Sequence, residues 1–207
     1  MSPDTRPDVW WNRLKSLADP VLDVLADGLR SDSRSFRDEF GGRREIDAYL
    51  VARHVGFAVA DGASSERLQA PDLALWDALC RGAVPPPAPG RGPLIPTSTS
   101  AAIELWTESE LCALHAAWWL GRSHASWRER VIEAARWHVE NTQPDNATGH
   151  PWSIHVFIDL TLIDESAEAE LLAQTMLHNC IVERGAPDRR SALILHDAAR
   201  ALEMMRY

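Results

Sequence analysis

The chain is short of cysteine, of positive charge and of long apolar runs. Cys80, Cys112 and Cys180 are odd in number, lie far apart and form no C-x-x-C pair. That excludes a disulfide scaffold and a thiolate zinc site, and the three read as small buried hydrophobes. Basic residues number 21 against 30 acidic ones, a net charge of −9, and Lys15 is the single lysine. A protein that tracks phosphates along nucleic acid needs a basic surface to displace counterions, so no nucleic-acid partner is expected. No run approaches the roughly 18 apolar residues of a spanning helix, and Met1–Pro7 has no apolar stretch of a signal peptide. A soluble, cytoplasmic protein with no membrane partner is expected, and in that setting the acceptor triplet Asn146-Ala147-Thr148 carries no weight. G-x-S-x-G, the Walker loop, G-x-G-x-x-G and H-E-x-x-H are all missing, and Gly90-Arg91-Gly92 sits among prolines.

What remains is globular: 207 residues, 45% of them hydrophobic, enough for a real core. Two residue types are in excess, nine Trp and eight His. They are unevenly placed. Residues 84–96, VPPPAPGRGPLIP, hold six prolines, which remove backbone donors and bar both helix and central strand. The segment reads as a linker or a strap laid over the surface. Residues 1–96 carry a net charge of −2, with one His and three Trp; residues 97–207 carry −7, with seven His and six Trp. The division is therefore 1–83, a strap at 84–96, and 97–207, with one continuous domain as the alternative.

Helical signals dominate both parts. The first gives helices near 8–17, 20–29, 45–60 and 72–82, with a polar loop from Arg30 to Arg44 turning at Gly41-Gly42. In the second, Thr107-Glu108-Ser109-Glu110 is a capping box behind which Leu111, Leu114, His115, Trp118 and Trp119 fall at helical spacing, and Gly121 closes the helix. Ser126-Trp127-Arg128-Glu129 repeats the signature and opens a helix to about Asn141. Ser166 and Asp188 cap two more. Residues 151–163, PWSIHVFIDLTLI, alternate as a strand would, but Pro151 suits a first helical turn and no partner strand stands out beyond the weak VGFAVA at 55–60. A buried helix is expected there. The fold class is all-α, about eight helices packed as antiparallel hairpins, with the strap across the surface.

The candidate chemistry lies after the strap. His155 and Asp159 stand four apart in the most apolar segment, on one face of a helix. A buried carboxylate needs a partner, so the pair either satisfies itself as a structural unit or acts as a base with its orienting acid. The loop 141–150 is rich in turn formers; Asp145, Asn146 and His150 in it, with Trp152 and His178, are the candidate ligand-binding residues at the mouth of a pocket. His115 and His138 fall on or beside apolar stripes, where a bonded core histidine is the ordinary outcome, and His124 and His196 look peripheral. Three or four imidazoles plus Asp159 would suffice for zinc or iron, but no metal-ligand spacing is present, and nothing points to a particular cofactor. The Trp residues fill gaps between helices or wall a cavity for an apolar or cationic molecule.

The hairpins of 107–205, their Trp-rich helix ends and the phrase ARWHVENTQPDNATGHPWSIHVF resemble the α/α-toroid proteins, the terpenoid cyclase and prenyltransferase-like class. The resemblance covers about half the chain and implies a partial toroid or solenoid of hairpins. The cyclases' D-x-D-D motif is absent and no Asp, Cys and His trio matches the prenyltransferase zinc set, so it implies no activity and no catalytic residue. The function expected is binding of a small molecule or a protein partner through a Trp/His-lined cavity or surface. A hydrolase or lyase using His155 and Asp159, and a purely structural interaction module, are the alternatives.

Overall fold

A computed structural model describes residues 6–31, 36–56, 70–97, 102–142 and 149–205. Among them the chain forms eight helices and no strand: α1 (Pro7–Ser31), α2 (Glu45–Val55), α3 (Pro71–Arg81), α4 (Ile103–Gly121), α5 (Ala125–Asn141), α6 (Ile154–Asp164), α7 (Ala167–Ile181) and α8 (Arg189–Glu203). The all-α reading holds, including the helix at 154–164.

Two expectations are corrected at the N-terminus. The helices near 8–17 and 20–29 are one helix, α1, running through Pro20. A mid-helix proline costs about 3 kcal/mol. The helix packs on α8 and buries Trp10, Leu14, Ala18, Leu22 and Leu29. At about 1.5–3 kcal/mol for each large side chain, that burial outweighs the proline. The helix expected over 45–60 stops at Val55, where Gly56 takes φ 76°, a left-handed C-cap that glycine adopts without strain.

Two of the four N-terminal signatures are also overridden. α4 begins at Ile103, a turn before the Thr107 box, and the Thr107 hydroxyl donates to the Ile103 carbonyl at 2.8 Å. Glu110 is not free to reach back, because the strap claims it. α5 begins at Ala125 with His124 as its N-cap and no side-chain cap. Ser166 and Asp188 behave as expected, accepting from Ala169 N at 3.1 Å and Ser191 N at 2.6 Å.

The buried residues form one cluster drawn from all eight helices. Helices on both sides of the proline-rich segment share it: α3 packs on α4, and α1 and α2 on α8. An ion pair fixes one of these joints, Arg190 gripping the fully buried Asp47 through Nε at 2.7 Å and Nη2 at 3.1 Å. At the centre, α6 is buried on nearly every side, which explains why its sequence is apolar without a clear stripe.

The strap is tied down by side chains that supply what proline lacks. Trp127 Nε1 donates to the Pro85 carbonyl at 2.8 Å, and Arg130 donates to the Ala88 and Pro93 carbonyls at 3.2 and 2.6 Å. Two of its backbone donors, Leu94 N and Ile95 N, both end on the buried carboxylate of Glu110, at 2.7 and 2.6 Å. Trp106 Nε1 closes the series on the Ile95 carbonyl at 3.2 Å. The strap therefore lies along α4 and α5 as a fixed element of the fold.

Candidate functional site

His155 lies in the first turn of α6, and its position follows from an unusual start to that helix. The N-cap, Ser153, has φ 61°, a conformation a non-glycine residue rarely adopts. Two bonds to α4 hold it there: its hydroxyl donates to the Leu111 carbonyl at 2.5 Å, and its N–H donates to His115 Nδ1 at 3.2 Å. That second bond fixes the tautomer of His115. Nδ1 is the bare nitrogen, so Nε2 carries the proton and donates it to Asp197 Oδ2 at 3.1 Å. Asp197, on α8, also accepts from Trp119 Nε1 at 2.7 Å and from Arg53 Nε at 2.9 Å. Burial pushes the Asp197 carboxyl up, but Arg53 and His115 outweigh it and hold the group ionised, below the usual carboxylate range. The same burial holds His115 down as a neutral imidazole, against the pull of Asp197.

Beside this satisfied network stands an unsatisfied one. His155 is fully buried, and neither ring nitrogen has a hydrogen-bond partner among the described residues. Its ring meets His115 at 4.3 Å between centroids and Trp118 at 4.9 Å, the latter edge to face. Burial, together with His115 nearby, holds its pKa well below the ordinary histidine value. It does not pair with Asp159. One turn on, Asp159 instead accepts from Trp118 Nε1 at 2.8 Å, so the indole touches both members of the expected pair.

Asp159 opens onto a cleft of about 340 Å³. Trp118, Gly121 and Arg122 line it from the end of α4, Arg128, Val131 and Ile132 from α5, and Leu162 from α6. Met204 and Met205, just after α8, complete the wall. Gly121 is what lets the α4–α5 turn close so tightly: a Cβ there would meet Arg128 Cα at 3.0 Å. Arg122 lies over the Trp118 ring at 5.7 Å and reaches the Met204 carbonyl at 3.5 Å. Arg128 is exposed, and its side chain makes no hydrogen bond or ion pair among the described residues. Burial raises the Asp159 carboxyl above its ordinary pKa, with Trp118, Arg128 and Arg122 acting against that rise.

The remaining candidates go elsewhere. His150 and Trp152 converge on Glu108 of α4: His150 Nδ1 lies 3.0 Å from Glu108 Oε1, and Trp152 Nε1 donates to the same oxygen at 3.3 Å. Arg44 also pairs with Glu108, and His150 Nε2 approaches Asp188 at 3.7 Å. Burial pushes the Glu108 carboxyl up, but His150 and Arg44 prevail and lower its pKa to about 2. His178 is on the exposed face of α7, away from the lining of the cleft. Asp145 and Asn146 lie outside the described residues. The described candidates therefore do not meet at one mouth. Asp159 faces a cleft, His155 is sealed behind Trp118, and His150 with Trp152 braces α4 against the start of α8. His138 is a bonded core residue, between Thr142 Oγ1 at 2.9 Å and Glu110 Oε1 at 3.2 Å. Among the described residues no three His, Cys, Asp or Glu side chains are grouped to hold a metal ion, and no helix is long and apolar enough to cross a membrane.

Sequence reasoning passed over Arg53, Asp197, Arg122, Arg128, Met204 and Met205. Arg122 and Arg128 flank a turn, where no periodicity marks a wall. Asp197 had one usable signal, a carboxylate three residues past Ile194 on an otherwise buried helix face. The chain matches no protein family model, no curated protein and no solved structure with which it was compared.

Proposed function

We propose that the protein binds a small amphipathic molecule in the cleft formed by the α4–α5 turn, α6 and the residues after α8. One observation carries the reading. A cleft of about 340 Å³ is walled by Trp118, Val131, Ile132, Leu162 and two methionines, yet it has Asp159 within it and two guanidinium groups on its wall. Small-molecule sites have this composition, an apolar body with a few placed polar groups, in volumes of roughly 300–1,000 Å³. Methionine side chains adapt to the shape of what they meet. Of the polar residues, Asp159 has one oxygen occupied by Trp118, and the second is without a partner among the described residues.

Binding is favoured over catalysis by the placement of His155. A general base must come within hydrogen-bond reach of the proton it removes. His155 is fully buried with the edge of Trp118 against it, while the cleft lies on the Asp159 side of that indole. The test is a cleft-filling variant. A library of small amphipathic molecules, screened by ligand-observed NMR, should yield binders to the native protein that Ile132→Trp no longer holds, with the circular dichroism and melting of that variant unchanged. Binders equally retained by the filled variant would place the site elsewhere.

A further inference from the structure

The cleft holds opposite charges that do not touch. Asp159 and Arg128 both line it, yet no ion pair joins them among the described residues, although exposed pairs as close as Arg136–Asp164 at 2.7 Å form readily elsewhere on this surface. Arg122 has other work: its guanidinium lies over Trp118 and bonds the Met204 carbonyl, which fixes the indole that in turn holds Asp159. The free elements are thus one anionic oxygen at depth, one cation toward solvent, and an apolar wall formed by Val131, Ile132 and Leu162.

A ligand that answers all three carries a positive end, a negative end and an apolar body within a few bonds of one another. We infer that the cleft takes a free α-amino acid with an apolar side chain, its ammonium on Asp159, its carboxylate on Arg128 and its side chain against Val131, Ile132 and Leu162. This rests on the reading of the cleft as a small-molecule site. A molecule with one charged end leaves either Asp159 or Arg128 unanswered, and a neutral one leaves both. Charge-assisted hydrogen bonds are the strong ones where water is partly excluded, so each end contributes separately to affinity. The apolar wall rejects polar side chains, which would lose their water without gaining a partner.

Isothermal titration calorimetry with four probes separates the parts: L-leucine, 4-methylpentanoate (no ammonium), isopentylamine (no carboxylate) and isopentanol (neither). L-leucine should bind about tenfold or more tighter than either one-ended probe. Asp159→Asn, which keeps an oxygen for Trp118, should abolish the advantage of leucine over 4-methylpentanoate. Arg128→Gln, a change on an exposed residue, should abolish its advantage over isopentylamine. Melting curves of both variants confirm that they remain folded. If isopentanol or a one-ended probe binds as tightly as leucine, and Ile132→Trp removes that binding, the amino-acid assignment is overturned while the cleft remains a small-molecule site. If no probe binds and no library member is lost on filling the cleft, both fall.

Discussion

Replacing His155 with phenylalanine should stabilise the protein, against the usual trend that core substitutions destabilise. The imidazole is fully buried, with neither nitrogen bonded among the described residues. In its neutral form it carries one donor and one acceptor, and leaving such a group unsatisfied costs about 1–3 kcal/mol each. Phenylalanine keeps the edge contacts with Trp118 at 4.9 Å and His115 at 4.3 Å. Its larger ring strains a packed core by about 1–3 kcal/mol, so the net gain is about 1–2 kcal/mol. For a chain of this length that raises Tm by roughly 2–8 °C. The gain should also depend on pH, in a direction fixed by linkage. Burial lowers the folded pKa of His155, so the native state stays neutral while the unfolded state takes up a proton. The wild type therefore loses this contribution as pH falls below the unfolded value of about 6.5, at up to about 1.4 kcal/mol per pH unit, and the variant does not. Urea unfolding at a series of pH values, with the slope m held constant between proteins, reads both effects. A variant destabilised by more than about 1 kcal/mol, with a difference from wild type that ignores pH, would refute the reasoning, because the imidazole would then be bonded.

Three further outcomes follow from the geometry. Glu110→Ala leaves Leu94 N and Ile95 N without their acceptor and should cost about 3 kcal/mol in urea unfolding. Trypsin should then cut at Arg91 faster than in wild type, as the strap lifts from α4 and α5. Glu108, lowered to about 2, contributes stability that is fully present above its unfolded pKa and is lost as pH falls from about 4.5 toward about 2. Glu108→Gln should remove about 2–3 kcal/mol at neutral pH and flatten the unfolding free energy across that acid window, as read by guanidinium melts. Gly121→Ala places a Cβ against Arg128 Cα, forces α5 away from α4, and should lower Tm and weaken any ligand of the cleft together.

What could be read from the sequence divides along the reach of the interactions involved. Ser166 and Asp188 were legible as caps because a cap is a contact across three residues. The break at Pro20 was not real because burial against α8, distant in sequence, outweighs a local penalty. Thr107 failed as a cap for a related reason. Its partner Glu110 is occupied by Leu94 and Ile95, 16 and 15 residues upstream, and no local pattern announces that. The same limit governs the site. The spacing of His155 and Asp159 placed both one turn apart on α6, but their neighbours come from α4, through Trp118 and His115. The cleft was illegible because its walls are assembled from a turn, two helices and the end of α8. The excess of tryptophan was visible from the start; its use was not. Trp76, Trp106, Trp118, Trp119, Trp127 and Trp152 each spend the indole N–H on a specific acceptor, so the residue serves here as packing and as a hydrogen-bond clamp at once.

Trp118 is central to the cleft, because its indole N–H is bonded to the carboxylate that faces it. The most direct test is therefore the indole region of a proton–nitrogen correlation spectrum of the native protein, with the Trp118 signal assigned by Trp118→Phe. Titration with L-leucine should move the Trp118 signal progressively and saturably, with smaller shifts at Trp119, which meets it edge to face at 5.3 Å, and none at Trp10 on α1. Saturable shifts at other tryptophans with the Trp118 signal unmoved would contradict the account.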